Sequence, residues 1–210
     1  LARGITTLSS FGGQTRNPYD PERNPGGSSG GTGAAVAASF AAVGMGTDTC
    51  GSIRIPSSHN ALVGLRGTRG LSSRDGIIPL SHTQDIGGPL ARTVADLVAV
   101  LDATVGPDPA DESTQLSESR IPESYAQFLA EDALQGARLG ILIELVGDAT
   151  ADGPVRDVIE AAIEEMKNQG AETVDVTESG LPELLEGSRL SEFKFDLADY
   201  LSRTPDAPVR

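Results

Sequence analysis

Leu139 to Val146 reads LGILIELV, Pro154 to Gln169 reads PVRDVIEAAIEEMKNQ, and Thr173 to Val176 reads TVDV. The first is an apolar run of strand length. The second gathers Val155, Val158, Ile159, Ala162, Ile163 and Met166 on one helical face and is ended by Gly170. The third is again short and β-rich. Strand, helix and strand in that order predict a parallel pair joined by a crossover helix. The fold class expected is therefore α/β, a mixed β-sheet core flanked by helices.

Working outward, Thr93 is a candidate N-cap for a helix that carries Val94, Leu97, Val98, Leu101 and Val105 at i, i+3, i+4, i+7 and i+11, with Gly106 as its stop. Gly106 to Pro122 reads as an acidic, proline-containing connector. A last helix is expected from about Arg189 to Ser202, burying Leu190, Phe193, Leu197, Tyr200 and Leu201. Nearer the N-terminus the composition changes, and residues 1–90 are crowded with Gly, Ser and Thr. There Ala34 to Val43 (AAVAASFAAV) is expected to form a buried helix of small residues. Gly44 to Pro56 (GMGTDTCGSIRIP) is expected to be a short strand running into a tight loop.

Composition limits the function classes. The 210 residues hold 30 Asp+Glu against 16 Lys+Arg, a formal charge of −14. Such a field repels phosphate, so no nucleic-acid surface is expected. No run of 18 apolar residues occurs, so no membrane span is expected. Cys50 is the single cysteine, which leaves no intrachain disulfide and no Cys-based zinc site. No metal or other cofactor is expected, and the compartment expected is the cytoplasm. The start, LARGITTLSS, has neither Met nor an apolar leader and reads as a cut inside a longer protein.

Two loops carry the chemistry: Gly26-Gly27-Ser28-Ser29-Gly30-Gly31, and Gly46-Thr47-Asp48-Thr49-Cys50-Gly51-Ser52 followed by Ile53-Arg54-Ile55-Pro56. Gly/Ser clusters are often plain connectors, but a flexible linker would not lead straight into a buried helix. A phosphate-binding loop needs Lys-Ser or Lys-Thr after its glycines, and Thr32-Gly33 stands there instead. Ser28 also lies in a G-x-S-x-G pattern. That elbow needs a preceding strand, which NPYDPERNP is not, and a distant downstream His. The only histidines are His59 and His82, read as loop or core hydrogen-bonding residues, so a Ser-His-Asp triad within this segment is not expected.

The pair GGSSGGTGAAVAA and GTDTCGSIRIP, with Ser28 and Ser52 separated by 24 positions, resembles the amidase-signature family. Val63-Gly64-Leu65-Arg66, Ser73 to Pro79, Gln84-Asp85 and Gly88 to Asp96 match further segments of that pattern. Glu192-Phe193-Lys194 resembles its peptide-amidase-like branch. The resemblance implies a serine amidase in which Ser52 is the nucleophile and Ser28, on a cis peptide bond, relays its proton to a lysine. It implies an oxyanion hole from the backbone N–H groups of Thr49, Cys50, Gly51 and Ser52, with Ser29, Thr47, Asp48 and Arg54 as polar supports. Cys50 is then expected to be a small buried thiol.

No lysine precedes Ser28, since Lys167 and Lys194 are the only two. The family's lysine is thus expected before Leu1, residues 1–210 are expected to be the central part of one amidase domain cut at both ends, and this segment alone is expected to be nearly inactive. The substrate implied is a small-molecule or peptide amide. The alternatives are a glutaminase subunit of a tRNA-dependent amidotransferase and a non-catalytic relative without the lysine.

Overall fold

The computed structural model describes residues 4–147, 150–177, 180 and 192–203. The chain divides into two compact units, one of Leu1–Phe128 with Leu190–Arg210, the other of Leu129–Arg189.

The first unit is built on an antiparallel sheet of β3 (Val43–Asp48), β4 (Val63–Gly64) and β5 (Ile86–Ala91), in the order β3-β5-β4. Every residue of β5 is buried. Its register pairs Ala91 with both Val43 and Val63. The helix α3 (Val94–Thr104) lies against this sheet and buries Leu97, Val98 and Leu101, while Val94 stays half exposed. Ala91, Leu97 and Val98 form a core to which Val43, Val63, Leu65 and Tyr125 add. Thr93 is the N-cap expected, its hydroxyl accepting from the Asp96 N–H at 3.1 Å. A small antiparallel pair, β1 (Leu8–Ser9) and β2 (Gly13–Gln14), precedes these elements.

Several elements differ from expectation. The small-residue helix, α1, spans Gly30–Ala37 rather than residues 34–43. It stops because the Arg92 guanidinium takes the Val36 and Ala41 carbonyls (2.8 and 3.1 Å) and Ser39 turns left-handed at φ 60°. Phe40 is thereby left exposed, and Val43 joins the sheet. A six-residue helix, α2 (Arg54–His59), follows the second Gly/Ser loop. The acidic connector is in part ordered as a 3₁₀ helix over Glu112–Arg120, capped by Asp111. The last helix, α5, is seen over Phe193–Ser202; Phe193, Leu197, Tyr200 and Leu201 are half-buried, and the expected start at Arg189 with Leu190 lies outside the described residues.

The second unit is the predicted strand–helix–strand. β6 (Arg138–Leu142) and β7 (Glu172–Val176) pair in parallel, Arg138 opposite Glu172 and Leu142 opposite Val176. α4 (Gly153–Asn168) makes the crossover, with Pro154 in its first turn. Isoleucines 159 and 163 and Met166 are half-buried, whereas Val155, Val158 and Ala162 are exposed, so the helix uses only part of its apolar face within this unit. The strand expected to reach Val146 ends at Leu142, where a 3₁₀ turn over Ile143–Leu145 begins.

Candidate active site

β3 is an edge strand, and that edge explains why the two serine loops meet. Its outer backbone groups are satisfied by side chains from the start of α1. The Ser29 hydroxyl donates to the Thr47 carbonyl (3.2 Å) and accepts from the Thr47 N–H (3.1 Å). Thr32 donates to the Met45 carbonyl at 3.1 Å. Ser29 therefore substitutes for a neighbouring strand and pins the first loop beside the second. The Ser29 N–H then donates to the Ser52 carbonyl at 3.1 Å. The Gly27–Ser28 peptide bond, where the resemblance implies a cis bond, is cis. Gly27 is packed so closely that a Cβ there would stand 2.5 Å from the Gly4 carbonyl oxygen.

The hydroxyls of Ser28 and Ser52, both half-buried, hydrogen-bond to no described residue, including each other. The hydrogen bonds that join the two loops come from Ser29, through its hydroxyl to Thr47 and through its N–H to the Ser52 carbonyl.

The turn from Asp48 to Arg54 is organised by one carboxylate. Asp48 is completely buried. Its Oδ1 accepts from the Gly51 N–H (2.7 Å), Arg54 Nη2 (3.3 Å) and Arg66 Nη1 (3.1 Å). Its Oδ2 accepts from the Ile53 N–H (3.1 Å), the Arg54 N–H (3.4 Å) and Arg54 Nε (3.2 Å). Burial alone would raise its pKa, but the bonds from Arg54, Ile53 and Gly51 outweigh that and hold it below the usual carboxylate value. Gly51 makes the turn at φ 138°, a conformation that side chains resist.

Each expected site residue can now be located. Ser29, Thr47, Asp48 and Arg54 all brace the two loops. Of the four backbone N–H groups expected to face an oxyanion, that of Gly51 is held by Asp48 Oδ1. Those of Thr49, Cys50 and Ser52 donate to no described residue. Cys50 is exposed rather than buried, because a side chain in the middle of this tight turn points away from the core. His59 and His82 are exposed, and they serve through their backbones: the His59 carbonyl accepts from Asn17, and the His82 N–H donates to Asp196.

Two residues that bear on the loops were not assigned a role from sequence. Arg66 reaches the Asp48 carbonyl and carboxylate and also the Gln84 carbonyl (2.9 Å). Asp85 accepts from the Thr49 hydroxyl at 2.5 Å. Both lie in segments that match the family pattern, yet no local spacing announces contacts 18 and 36 residues apart. A cavity of about 540 Å³ borders Asp85 and is lined also by Arg74, His82, Asp111, Tyr200 and Arg203; neither serine lines it. Among the described residues no cluster of His, Cys, Asp or Glu could hold a metal ion, and no helix is long and apolar enough to cross a membrane.

Known proteins resemble this chain in sequence and fold. A "Probable amidase" of Arabidopsis thaliana is 40% identical over 198 residues, 94% of this chain and 38% of the relative. The A subunit of the glutamyl-tRNA(Gln) amidotransferase of Gloeobacter violaceus is 45% identical over 177 residues, 84% of this chain and 35% of its own. The crystal structure of the native peptide amidase from Stenotrophomonas maltophilia superposes with a TM-score of 0.89 at 43% identity, covering 99% of this chain and 42% of that one. The chain thus spans about two fifths of the length of these relatives. The Amidase family model matches residues 1–206, and the chain belongs to that family.

Proposed function

We propose that the protein is an amide hydrolase that works through an acyl-enzyme, with Ser52 as nucleophile. Two loops of different sequence origin are held side by side by Ser29, and each offers a serine hydroxyl that no described residue engages. That juxtaposition carries the reading. A serine hydroxyl needs a base to become nucleophilic. In this proposal Ser52 Oγ attacks the amide carbonyl carbon while its proton passes to Ser28, whose own proton passes to a neutral lysine amine. The relay requires a lysine amine, and the two lysines of this chain, Lys167 and Lys194, both follow the serine loops. The oxyanion is met by the N–H groups of Thr49, Cys50 and Ser52, with Gly51 left to Asp48. Collapse breaks the C–N bond, and the leaving nitrogen takes a proton back through Ser28 as ammonia or amine. Water then attacks the acyl ester by the same relay, releasing the carboxylic acid and Ser52.

The substrate class proposed is a small carboxamide or a peptide amide, in line with the peptide amidase among the relatives. Because amidotransferase subunits are also relatives, a glutaminase role in a complex is the second reading; activity dependent on charged tRNA and a partner protein would establish it. The protein is expected to be labelled by a serine-directed fluorophosphonate and to hydrolyse simple aromatic amides, with Ser52→Ala abolishing both. Ser28→Ala should lower turnover about 10²–10⁴-fold, the usual worth of a positioned proton relay. Retention of labelling and turnover in the Ser52→Ala protein would overturn the assignment.

A further inference from the structure

The second loop is held from two sides, and only one of them is accounted for by Asp48. On the other side the Thr49 hydroxyl donates to Asp85 Oδ1 at 2.5 Å, and both residues are buried, each 7% exposed. Thr49 is the first residue of the turn beyond β3, and Asp85 immediately precedes β5, the neighbouring strand. Asp85 is itself fixed. Its Oδ2 accepts from the N–H groups of Leu80 (2.7 Å) and Ser81 (2.9 Å), and its own N–H donates to the Ser81 carbonyl at 2.8 Å. The Ser81 turn is in turn clamped by Glu192, which accepts from the Ser81 hydroxyl (2.8 Å), the Thr83 hydroxyl (2.7 Å) and the Thr83 N–H (3.1 Å). Arg66 closes the frame by bonding the Gln84 carbonyl and Asp48 together.

We infer that Asp85 is a positioning residue for the oxyanion-binding turn, acting through the Thr49 hydroxyl. The inference rests on the reading of Ser52 and its turn given above. The Thr49 side chain is tethered to a rigid carboxylate, and the backbone N–H of the same residue is one of the three donors not claimed by any described residue. Rotating Thr49 about its backbone would swing that N–H and the one at Cys50 together. Donors to a developing oxyanion act only when they are aimed beforehand, and misplacement by about 1 Å costs up to about 10²-fold in rate. Asp48 cannot replace this tether, because its two oxygens already accept from Gly51, Ile53, Arg54 and Arg66.

The test uses the full-length protein, with active sites counted by fluorophosphonate so that rates refer to competent enzyme only. Thr49→Val removes the hydroxyl and keeps the shape. The expected result is a kcat lower by roughly ten- to hundredfold, KM changed less than about twofold and thermal midpoint nearly unchanged, with Thr49→Ser restoring most of the rate. A peptide aldehyde, whose adduct with Ser52 places an oxygen in the oxyanion position, should bind Thr49→Val about tenfold or more weakly. The matching peptide alcohol, which forms no adduct, should bind both proteins equally. Asp85→Asn serves the same purpose if Thr49→Val fails to fold, and the double variant should be no worse than either single one. Unchanged kcat per titrated site and unchanged aldehyde affinity in folded Thr49→Val or Asp85→Asn protein would overturn the inference. Turnover and aldehyde inhibition that survive Ser52→Ala would instead remove the reading it rests on.

Discussion

Replacing Asp48 by Asn is the most demanding test of how the second loop is held. The carboxylate is fully buried and takes three donors on each oxygen: Gly51 N–H, Arg54 Nη2 and Arg66 Nη1 on one, Ile53 N–H, Arg54 N–H and Arg54 Nε on the other. An amide keeps one oxygen and turns an NH₂ toward the other three donors. Whichever way it is oriented, one buried backbone N–H, of Gly51 or Ile53, loses its acceptor, at about 1–3 kcal/mol. Arg66, whose side chain is 26% exposed, also loses its charged partner, whereas Arg54, at 54%, is largely rehydrated. The total comes to about 3–5 kcal/mol, as for a buried pair broken on one side. At a urea slope of about 1–3 kcal/mol per M the unfolding midpoint should fall by about 1–5 M, read by far-ultraviolet circular dichroism. Arg54→Gln and Arg66→Gln should each cost less than Asp48→Asn, because each leaves the carboxylate its other arginine and its backbone donors. A midpoint for Asp48→Asn within about 0.3 M of the parent protein, with a normal slope, would refute the account of the turn.

Gly46→Ala should separate the two loops, since the added Cβ would lie 2.7 Å from Ser29 Oγ, 2.9 Å from its Cβ and 3.0 Å from Leu90 Cδ1. Overpacking of this kind costs about 1–3 kcal/mol, and fluorophosphonate labelling should fall further than the folded fraction measured alongside it. Acid should destabilise the first unit with a defined sign. In Asp111, burial raises the pKa but the hydrogen bonds from Arg74 and Ser113 outweigh it, and Asp48 is likewise lowered; folded values below the unfolded ones give stability that is complete above about pH 4 and drains as pH falls through the folded values. Urea midpoints taken from about pH 6 to about pH 2.5 should show that limb, and Asp111→Asn should shallow it; an unchanged limb in that variant would remove Asp111 as a contributor.

What could be read from the sequence was whatever has a local period or a local cap. The Leu139 run, the α4 face and the Thr173 strand declare themselves because apolar residues recur at spacings set by one element alone, and Thr93 with Asp96 marks a helix start within one turn. β5 is the opposite case. Its residues IGGPLA carry a proline that cannot donate to a ladder and two glycines that contribute no side chain, all features that argue against a central strand. It is central nonetheless because Gly88 lets the Leu65 carbonyl approach to within 2.3 Å of where a Cβ would be, and the Pro89 carbonyl still accepts from the Leu65 N–H at 3.1 Å. α2 was hidden in a similar way, with Pro56 in its first turn. At the site, the two serine loops were legible as a pattern, but the closure of Arg66 and Asp85 onto the second loop depends on tertiary contacts that no window of sequence contains.

The charges around the second loop answer a difficulty that the loop itself creates. A turn meant to receive a developing negative charge is a poor place for carboxylates, yet Asp48 is buried within it and Asp85 is buried beside it. Each carboxylate is engaged by donors other than the three proposed for the oxyanion: Asp48 by Gly51, Ile53 and the two arginines, Asp85 by the Thr49 hydroxyl and the Leu80 and Ser81 N–H groups. Arg54 and Arg66 bring as much positive charge as the two aspartates bring negative, and Arg66 bridges the two acidic segments directly. The positive and negative charges that hold the turn therefore balance, and the backbone N–H groups of Thr49, Cys50 and Ser52 are left without an acceptor among the described residues. Gly51 has a different part from the one its neighbours share: its positive φ makes the turn, and its N–H anchors the turn to Asp48. On this account, Asp48 and Asp85 have separate duties. Loss of Asp48 should unfold the loop, whereas loss of the Asp85 tether should leave it folded and badly aimed.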